Sequence, residues 1–427
     1  MAAQEALVNI EAPLANWAGN VAFATTRRNM PASIDRLREV VAAASRIRAV
    51  GTAHSFNHIA DTDAEQVSVV ELPSSVSVDA QAATATVAAG MRYGDVAARL
   101  LEHGVALHNL GSLPHISIAG SCATGTHGSG VRNRGLAGAV RALEMVTADG
   151  ELVRLTRDVD ADFNGAVVAL GCLGVVTAMT LDVVPAFEVR QFVFDNMPAD
   201  SVVNHFDAIV EKAYSVSLFT TWSSRDVDQV WVKQRVSDGD DPPDPRWLGS
   251  TLAESARHPL RGMPVENCTR QLGEPGPSHE RLPHFRLEFT PSAGEELQSE
   301  YLLPREHAVA AFEALAKVAD RLAPVLQVSE IRTIAADDLW MSPSFERDSV
   351  AFHFTWVKDD TAVRPVMAAV EERLAPFSPR PHWGKLFSIS PSAVAAQYPK
   401  LADFRALVRR YDPQGKFSNK FVEPYLG

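Results

Sequence analysis

Cysteine is scarce in this chain: Cys122, Cys172 and Cys268 are the only three in 427 residues. An odd number at such wide spacing builds neither a disulfide framework nor a zinc pattern. Basic charge is in deficit, with 40 Lys and Arg against 52 Asp and Glu and a formal net charge of −12. No basic cluster interleaves with aromatics. This argues against nucleic acid or an anionic membrane as the main partner. No apolar run approaches the roughly 18 residues a membrane span needs. The stretch MAAQEALVNIEAPLANWAGN has neither a positive n-region nor an apolar h-region, so no signal peptide is read. What is present is 46% hydrophobic residues, enough for a large core in two or three lobes. The expectation is a cytoplasmic monomer.

Periodicity organises the chain. PASIDRLREVVAAAS places Ile34, Leu37, Val40 and Val41 at helical spacing. RIRAVG follows as a strand. SVSVDAQAATATVAAG reads as two strands and a turn, and RYGDVAARLLEHG as a helix stopped by Gly104. ALEMVTADGELVRLT is a hairpin turning at Asp149-Gly150, and GVVTAMTLDVVP closes a first α+β region near residue 187. Beyond it, SVSLFTTW and DQVWVKQRV read as neighbouring strands. Residues 237–265, rich in Asp, Pro, Arg and Gly, read as a surface excursion. RLEFT and ELQSEYLL read as strands. PREHAVAAFEALAKVADRLA reads as one amphipathic helix, with Pro304 in its first turn and Val309, Phe312, Leu315, Val318 and Leu322 on one face. The fold class is α+β, with residues 1–187 as a first domain, 188–400 as a second on an antiparallel sheet flanked by helices, and 401–427 packing back near the first.

Two loops carry chemistry. VGTAHSFNHIA, from residue 50, runs from a strand through Gly51 and small residues to His54. A metal, a phosphate, a proton-transfer partner and a covalent bond all suit a histidine so placed. His58 stands four residues on, but Ser55-Phe56-Asn57 between them reads as loop, and no H-E-x-x-H helix exists, which disfavours metal. SLPHISIAGSCATGTHGSG, residues 112–130, alternates Gly120, Gly125, Gly128 and Gly130 with Ser117, Ser121, Thr124, Thr126 and Ser129. Such a run exposes backbone N–H groups and hydroxyls to a pyrophosphate, or is an ordinary irregular loop. Its G-x-x-G-x-G order is neither a Walker loop nor a dinucleotide fingerprint.

Two strands carry polar pairs. In VLQVSEIRTIA, Leu326, Val328, Glu330, Arg332 and Ile334 point one way. In VAFHFTWV, Phe352, Phe354 and Trp356 form an apolar face opposite His353 and Thr355. Charged pairs on a strand are either a solvated face or a pocket floor, and the pattern alone leaves both open.

These segments together resemble a known family. VGTAHSFNHIA with LGSLPHISIAGSCATGTHGSG resembles the PCMH-type FAD-binding lobe of the vanillyl-alcohol oxidase superfamily. Within it the chain is similar to the bacterial alditol (xylitol) oxidases, from NWAGN at 16–20 to DPQGKFSNKFV at 412–422, through YSVSLFT, ERLPHFR, SEYLLPREHA, EIRTIAAD and RPHWGK. The resemblance implies a two-lobed flavoprotein with FAD held covalently by His54 through the flavin 8α-methyl. No cysteine stands where a second covalent link would be expected. It further implies FAD contacts from Ala49, Val50, Gly51, Thr52, Ala53 and Ser55, from Ser112, Ser117, Gly120, Thr124, Gly125, Thr126 and His127, and from Val176 and His382. Ser112, Glu330, Arg332, Thr355 and Lys385 would line a polyol site, with His353 beside them. Gly111 would leave dioxygen a path to the flavin, unless it only serves a turn at positive φ.

The implied activity is oxidation of the terminal primary alcohol of an alditol, with O2 reduced to H2O2. Arg332 and Lys385 would favour a developing alkoxide. Glu330 would accept hydrogen bonds from the substrate and hold the cations, and Ser112 and Thr355 offer hydroxyls suited to a polyol. An aldonolactone oxidase or dehydrogenase shares the histidyl-FAD loop, Glu330-x-Arg332 and HWGK. A flavin- or sugar-binding protein without turnover is the alternative of another class.

Overall fold

A computed structural model describes residues 8–9, 14–239, 243–290, 292 and 294–426. Most of the N-terminal stretch read for a signal peptide lies outside them, as do residues 240–242 of the surface excursion. The chain folds as an α+β protein, and period-2 segments become antiparallel sheet. Strands Val76–Asp79 and Thr84–Ala88 pair, and Thr84–Ala88 continues a five-stranded sheet through Val175–Asp182, Val140–Val146 and Leu152–Thr156. Ile34–Ala43 is helical because Ser33 caps it, accepting from the Arg36 N–H at 3.2 Å, while Leu37 and Val41 bury on one face. Beside it a small sheet carries Ile47–Ala49, whose C-terminal end delivers the His54 loop.

Among the described residues the largest sheet has ten strands. Its centre runs in the order Glu188–Met197, Val227–Arg235, Ser215–Thr220, Leu326–Ile334, Ser349–Trp356 and Leu297–Pro304. One face packs on helices: Phe352, Phe354, Trp356 and Ile331 share a core with Phe312, Leu315, Met367 and Val370. The opposite face carries the polar pairs and is also buried, so these strands are closed to solvent on both sides. A separate core joins the five-stranded sheet to Leu339, Met341, Trp383, Phe404, Leu407 and Tyr425, so the last turns of the chain pack on the first sheet.

Three local expectations change. RLEFT, residues 286–290, is a turn and no strand: the Phe289 N–H bonds the Arg286 carbonyl at 3.3 Å. The expected helix over 304–323 is broken into Ala308–Ala316 and Ala319–Leu322, because Val318 leaves helical geometry (φ −120°, ψ 15°) and its side chain joins the core. Pro304 ends a strand instead of opening that helix. The excursion over 237–265 carries short strands Arg246–Trp247 and Ser250–Leu252, the latter paired to Glu188–Met197.

Candidate active site

A cavity of about 460 Å³ runs from the two glycine-containing loops to the buried polar face of the large sheet. The sequence candidates Ala49, Val50, Gly51, Thr52, Ala53, His54, Ser55, Gly111, Ser112, Ser117, Gly120, Thr124, Thr126, His127, Val176, Glu330, Arg332, His353, Thr355, His382 and Lys385 all line it. Gly125 does not. At φ +71° it turns the chain between Thr124 and Thr126, and a Cβ there would meet Pro343 Cδ at 2.7 Å. Gly111 is not in the left-handed region, and an added Cβ would sit 3.7 Å from the His127 carbonyl, an ordinary contact. The positive-φ turn is therefore not the reason for glycine at 111.

The His54 loop is rigidly held. Ala53 adopts φ 56°, and its carbonyl accepts from the Trp17 N–H at 2.8 Å. The His54 ring stacks on Trp17 with centroids 5.3 Å apart, and Nδ1 lies 3.0 Å from Thr52 Oγ1. Nε2 is buried with no hydrogen-bond partner among the described residues. Burial, reinforced by nearby His115, lowers the His54 pKa to about 4, so the imidazole is neutral. Phe56 N–H bonds the Gly384 carbonyl at 2.8 Å, and the Asn57 amide donates to the Trp383 and Lys385 carbonyls, each at 2.8 Å. VGTAHSFN and HWGK, more than 300 residues apart in the chain, thus form one wall. Gly51 allows close approach of a third segment, since a Cβ there would lie 2.2 Å from Ser117 Oγ.

The sheet register aligns the charged groups. Glu330 pairs across to His353, and His353 pairs across to Glu300 on Leu297–Pro304. Arg332 donates to Glu300 Oε1 at 2.5 Å and to Ser112 Oγ at 3.1 Å, and its Nε lies 3.6 Å from Glu330 Oε2. Lys385 Nζ lies 2.9 Å from Glu300 Oε2 and 2.6 Å from His353 Nδ1. His353 Nε2 lies 3.1 Å from Thr355 Oγ1. The Lys385 ammonium donates to Nδ1, which puts the ring proton on Nε2 and aims it at Thr355. His127 Nε2 stands 3.4 Å from Glu300 Oε1. His382 lines the same wall, its ring 6.0 Å from that of His127, and its Nδ1 accepts from the Gly384 N–H.

Burial raises the pKa of Glu300, but Lys385 and Arg332 more than reverse this and hold the carboxyl well below the usual range. Glu330 behaves likewise: burial raises it, and Arg332 and His284 bring it down. Burial lowers Lys385, partly offset by Glu300. His353 is lowered to about 4 by burial and then by Lys385, so it is neutral. The floor is thus two fixed cations and two fixed carboxylates with hydroxyls between them, arranged to hold a multiply hydroxylated molecule and to stabilise negative charge on oxygen.

Sequence reasoning missed Glu300, which contacts both cations, and also Gln298 and His284. The signal for Glu300 and Gln298 is present in ELQSEYLL, where both alternate with Leu297, Ser299 and Tyr301 and face the cavity. His284 lies in ERLPHFR, where no periodicity points to it.

Comparison with known proteins agrees with this geometry. The FAD binding domain family matches residues 29–156, and the D-arabinono-1,4-lactone oxidase family matches residues 294–425. The chain is 52% identical to an alditol oxidase of a Streptomyces species, over 96% of this chain and 98% of that one. It is 28% identical to an L-gulono-1,4-lactone dehydrogenase of Mycobacterium tuberculosis, over 96% and 98%. A cholesterol oxidase from B. sterolicum shares the fold at a TM-score of 0.77 and 14% identity, covering 97% of this chain and 96% of that one. Among the described residues, no helix is long and apolar enough to cross a membrane. The chain belongs to the alditol oxidase family of FAD-binding, flavin-dependent oxidases.

Proposed function

We propose that the protein oxidises the terminal primary alcohol of an alditol to the aldose, R–CH2OH + O2 giving R–CHO + H2O2, with FAD joined covalently to His54. The observation that carries the reaction is the cavity floor: Arg332 and Lys385 flank the buried Glu300 carboxylate, and both also face the cavity that Ser112, Thr355 and Glu330 line.

The residues present fit FAD. The cavity runs from the loops to the sheet, its loops approach so closely at Gly51 that no side chain fits, and a buried nitrogen of the neutral His54 imidazole has no hydrogen-bond partner among the described residues. A neutral imidazole keeps the lone pair that a bond to carbon requires. When bound, FAD would supply the acceptor for the hydride, which carries the two electrons from the carbinol carbon, and would pass those two electrons to dioxygen.

The chain's own residues do the rest. Arg332 and Lys385 meet the reacting hydroxyl and stabilise its oxygen as it becomes an alkoxide. Glu330 accepts from neighbouring substrate hydroxyls and keeps the Arg332 guanidinium oriented. Thr355 receives the His353 Nε2–H, which turns its own hydroxyl proton toward the cavity, where it serves as a donor. Ser112, its Oγ accepting from Arg332, likewise has its proton free to donate.

A peroxide-coupled screen of purified protein tests this, with xylitol, sorbitol, glycerol and L-gulono-1,4-lactone as substrates. Stoichiometric H2O2 from a polyol is the expected result. Turnover of the lactone alone would replace this reading with an aldonolactone oxidase, and absence of turnover by a flavin-loaded protein would leave a binding protein.

A further inference from the structure

Lys233 is among the largest fully buried side chains and lies outside the cavity wall, on strand Val227–Arg235. Its ammonium has three protons and three acceptors in reach: the Leu282 carbonyl at 2.5 Å, the Pro283 carbonyl at 3.1 Å and His284 Nδ1 at 3.0 Å. On the other side of that ring, His284 Nε2 lies 2.7 Å from Glu330 Oε1. The backbone of the same loop reaches the site by a second route, since the N–H groups of His284 and Phe285 bond the Ser112 carbonyl at 3.1 and 3.3 Å.

We propose that Lys233 is a positioning residue for the polyol site, fixing the tautomer of His284 so that its Nε2–H holds Glu330 as an oriented, ionised acceptor. The reasoning is one of proton count. An ammonium has no lone pair, so Nδ1 facing it must be bare. The single proton of a neutral imidazole then sits on Nε2, the nitrogen facing the carboxylate. With the proton on Nδ1 instead, the bare Nε2 would face a carboxylate oxygen at 2.7 Å, two acceptors in contact, and Glu330 would have to take up a proton or swing away. His284 is lowered to about 4 by burial and next by Lys233, so it stays neutral. Lys233 itself is lowered to about 7 by burial, partly offset by Glu330, so the ammonium predominates at pH 6 and gives way to the amine as pH rises through 7. The charged or titratable groups that act on it are Glu330, Cys268 and Arg332, besides His284. Glu330 is therefore set from two sides, by Arg332 within the cavity and, through His284, by a lysine outside the cavity lining.

The tautomer arm of the test does not depend on the proposed function, whereas the kinetic arm rests on it. Nitrogen-15 NMR of histidine-labelled holoenzyme at pH 6, with the His284 signal identified by its loss in His284→Gln, should show a neutral ring protonated at Nε2. In Lys233→Met that preference should weaken or reverse. For the polyol, kcat/KM should fall at least tenfold in Lys233→Met and His284→Leu through a raised KM, at unchanged flavin content. His284→Gln keeps an N–H donor toward Glu330 and should recover most of the loss. A wild-type His284 protonated at Nδ1, or at both nitrogens, overturns the proposal, as does equal KM in His284→Leu and His284→Gln. If Lys233→Met does not fold, the wild-type tautomer and the His284 pair still decide. If no polyol is turned over, the functional reading fails and the tautomer alone decides this one.

Discussion

Glu300 and Lys385 form an ion pair at 2.9 Å, the carboxylate fully buried with its side chain 1% exposed and the lysine side chain 14% exposed. The same carboxylate also takes the Arg332 guanidinium. Glu300→Gln would leave two cations in low dielectric with half their compensation. Breaking such a pair from one side costs about 3–5 kcal/mol. Glu300→Gln should therefore lower the unfolding free energy by that order in denaturant titration, and lower kcat/KM as well. Wild-type stability in this variant would remove Glu300 from its central place.

Arg332→Ala and Lys385→Ala should each lower kcat/KM strongly while flavin content is kept. A charge-assisted hydrogen bond is worth about 1.5–3 kcal/mol, which at 1.36 kcal/mol per decade is about 10- to 150-fold in rate. Thr355→Ala loses a neutral hydrogen bond and should mainly raise KM. Steady-state kinetics on fully flavinylated protein check all three, and wild-type rates in Arg332→Ala would exclude it from the reaction.

In Lys233→Met, which lacks the lysine lowered to about 7, the alkaline limb of kcat/KM should report Lys385. Its charged form is needed, and burial lowers its pKa below the ordinary 10.5, so activity should fall at a pH below that value. Glu300→Gln removes the partner that opposes this and should move the limb lower still. The carboxylates work at the other end. Glu300 and Glu330 have folded pKa values below the ordinary 4.5, so the stability they contribute is present above 4.5 and is lost as pH falls below it. A pH series of kcat/KM and of thermal unfolding reads both.

His54→Ala should give protein whose flavin, if bound, is released by acid, whereas wild-type flavin should stay with the acid-precipitated chain. The unpartnered Nε2 and the neutral ring motivate this. Complete release from the wild type would refute the covalent bond.

Gly111→Val should slow reoxidation by O2 more than anaerobic reduction by substrate. A first carbon at this position meets only ordinary contacts, with Ile116 Cδ1 at 3.7 Å and Leu136 Cδ1 at 3.8 Å, so the loop tolerates it. The branched methyls would then fill cavity space. Stopped-flow separates the two half-reactions, and an unchanged O2 rate would end the access role.

The sequence by itself determined the element types in most of the chain, the α+β class, the His54 loop and the polar pairs Glu330/Arg332 and His353/Thr355. Period-2 alternation is a local property, and it survives because side chains on a strand alternate whatever the strand packs against. The same locality explains the errors. The helix over 304–323 has an unbroken apolar period, but the backbone leaves helical geometry at Val318 while its side chain stays in the core with Phe312, Leu315 and Leu322, a break no window of residues reveals. Only the tertiary structure decided that the polar face is buried, that Glu300 joins Arg332 to Lys385, and that Lys233 reaches Glu330 through His284. Those links cross three strands and two loops, from residues 233, 284, 300, 330, 332 and 385. A carboxylate reads as a solvated surface group until the cations that compensate its burial are in place, and their arrival is a matter of sheet register and loop closure.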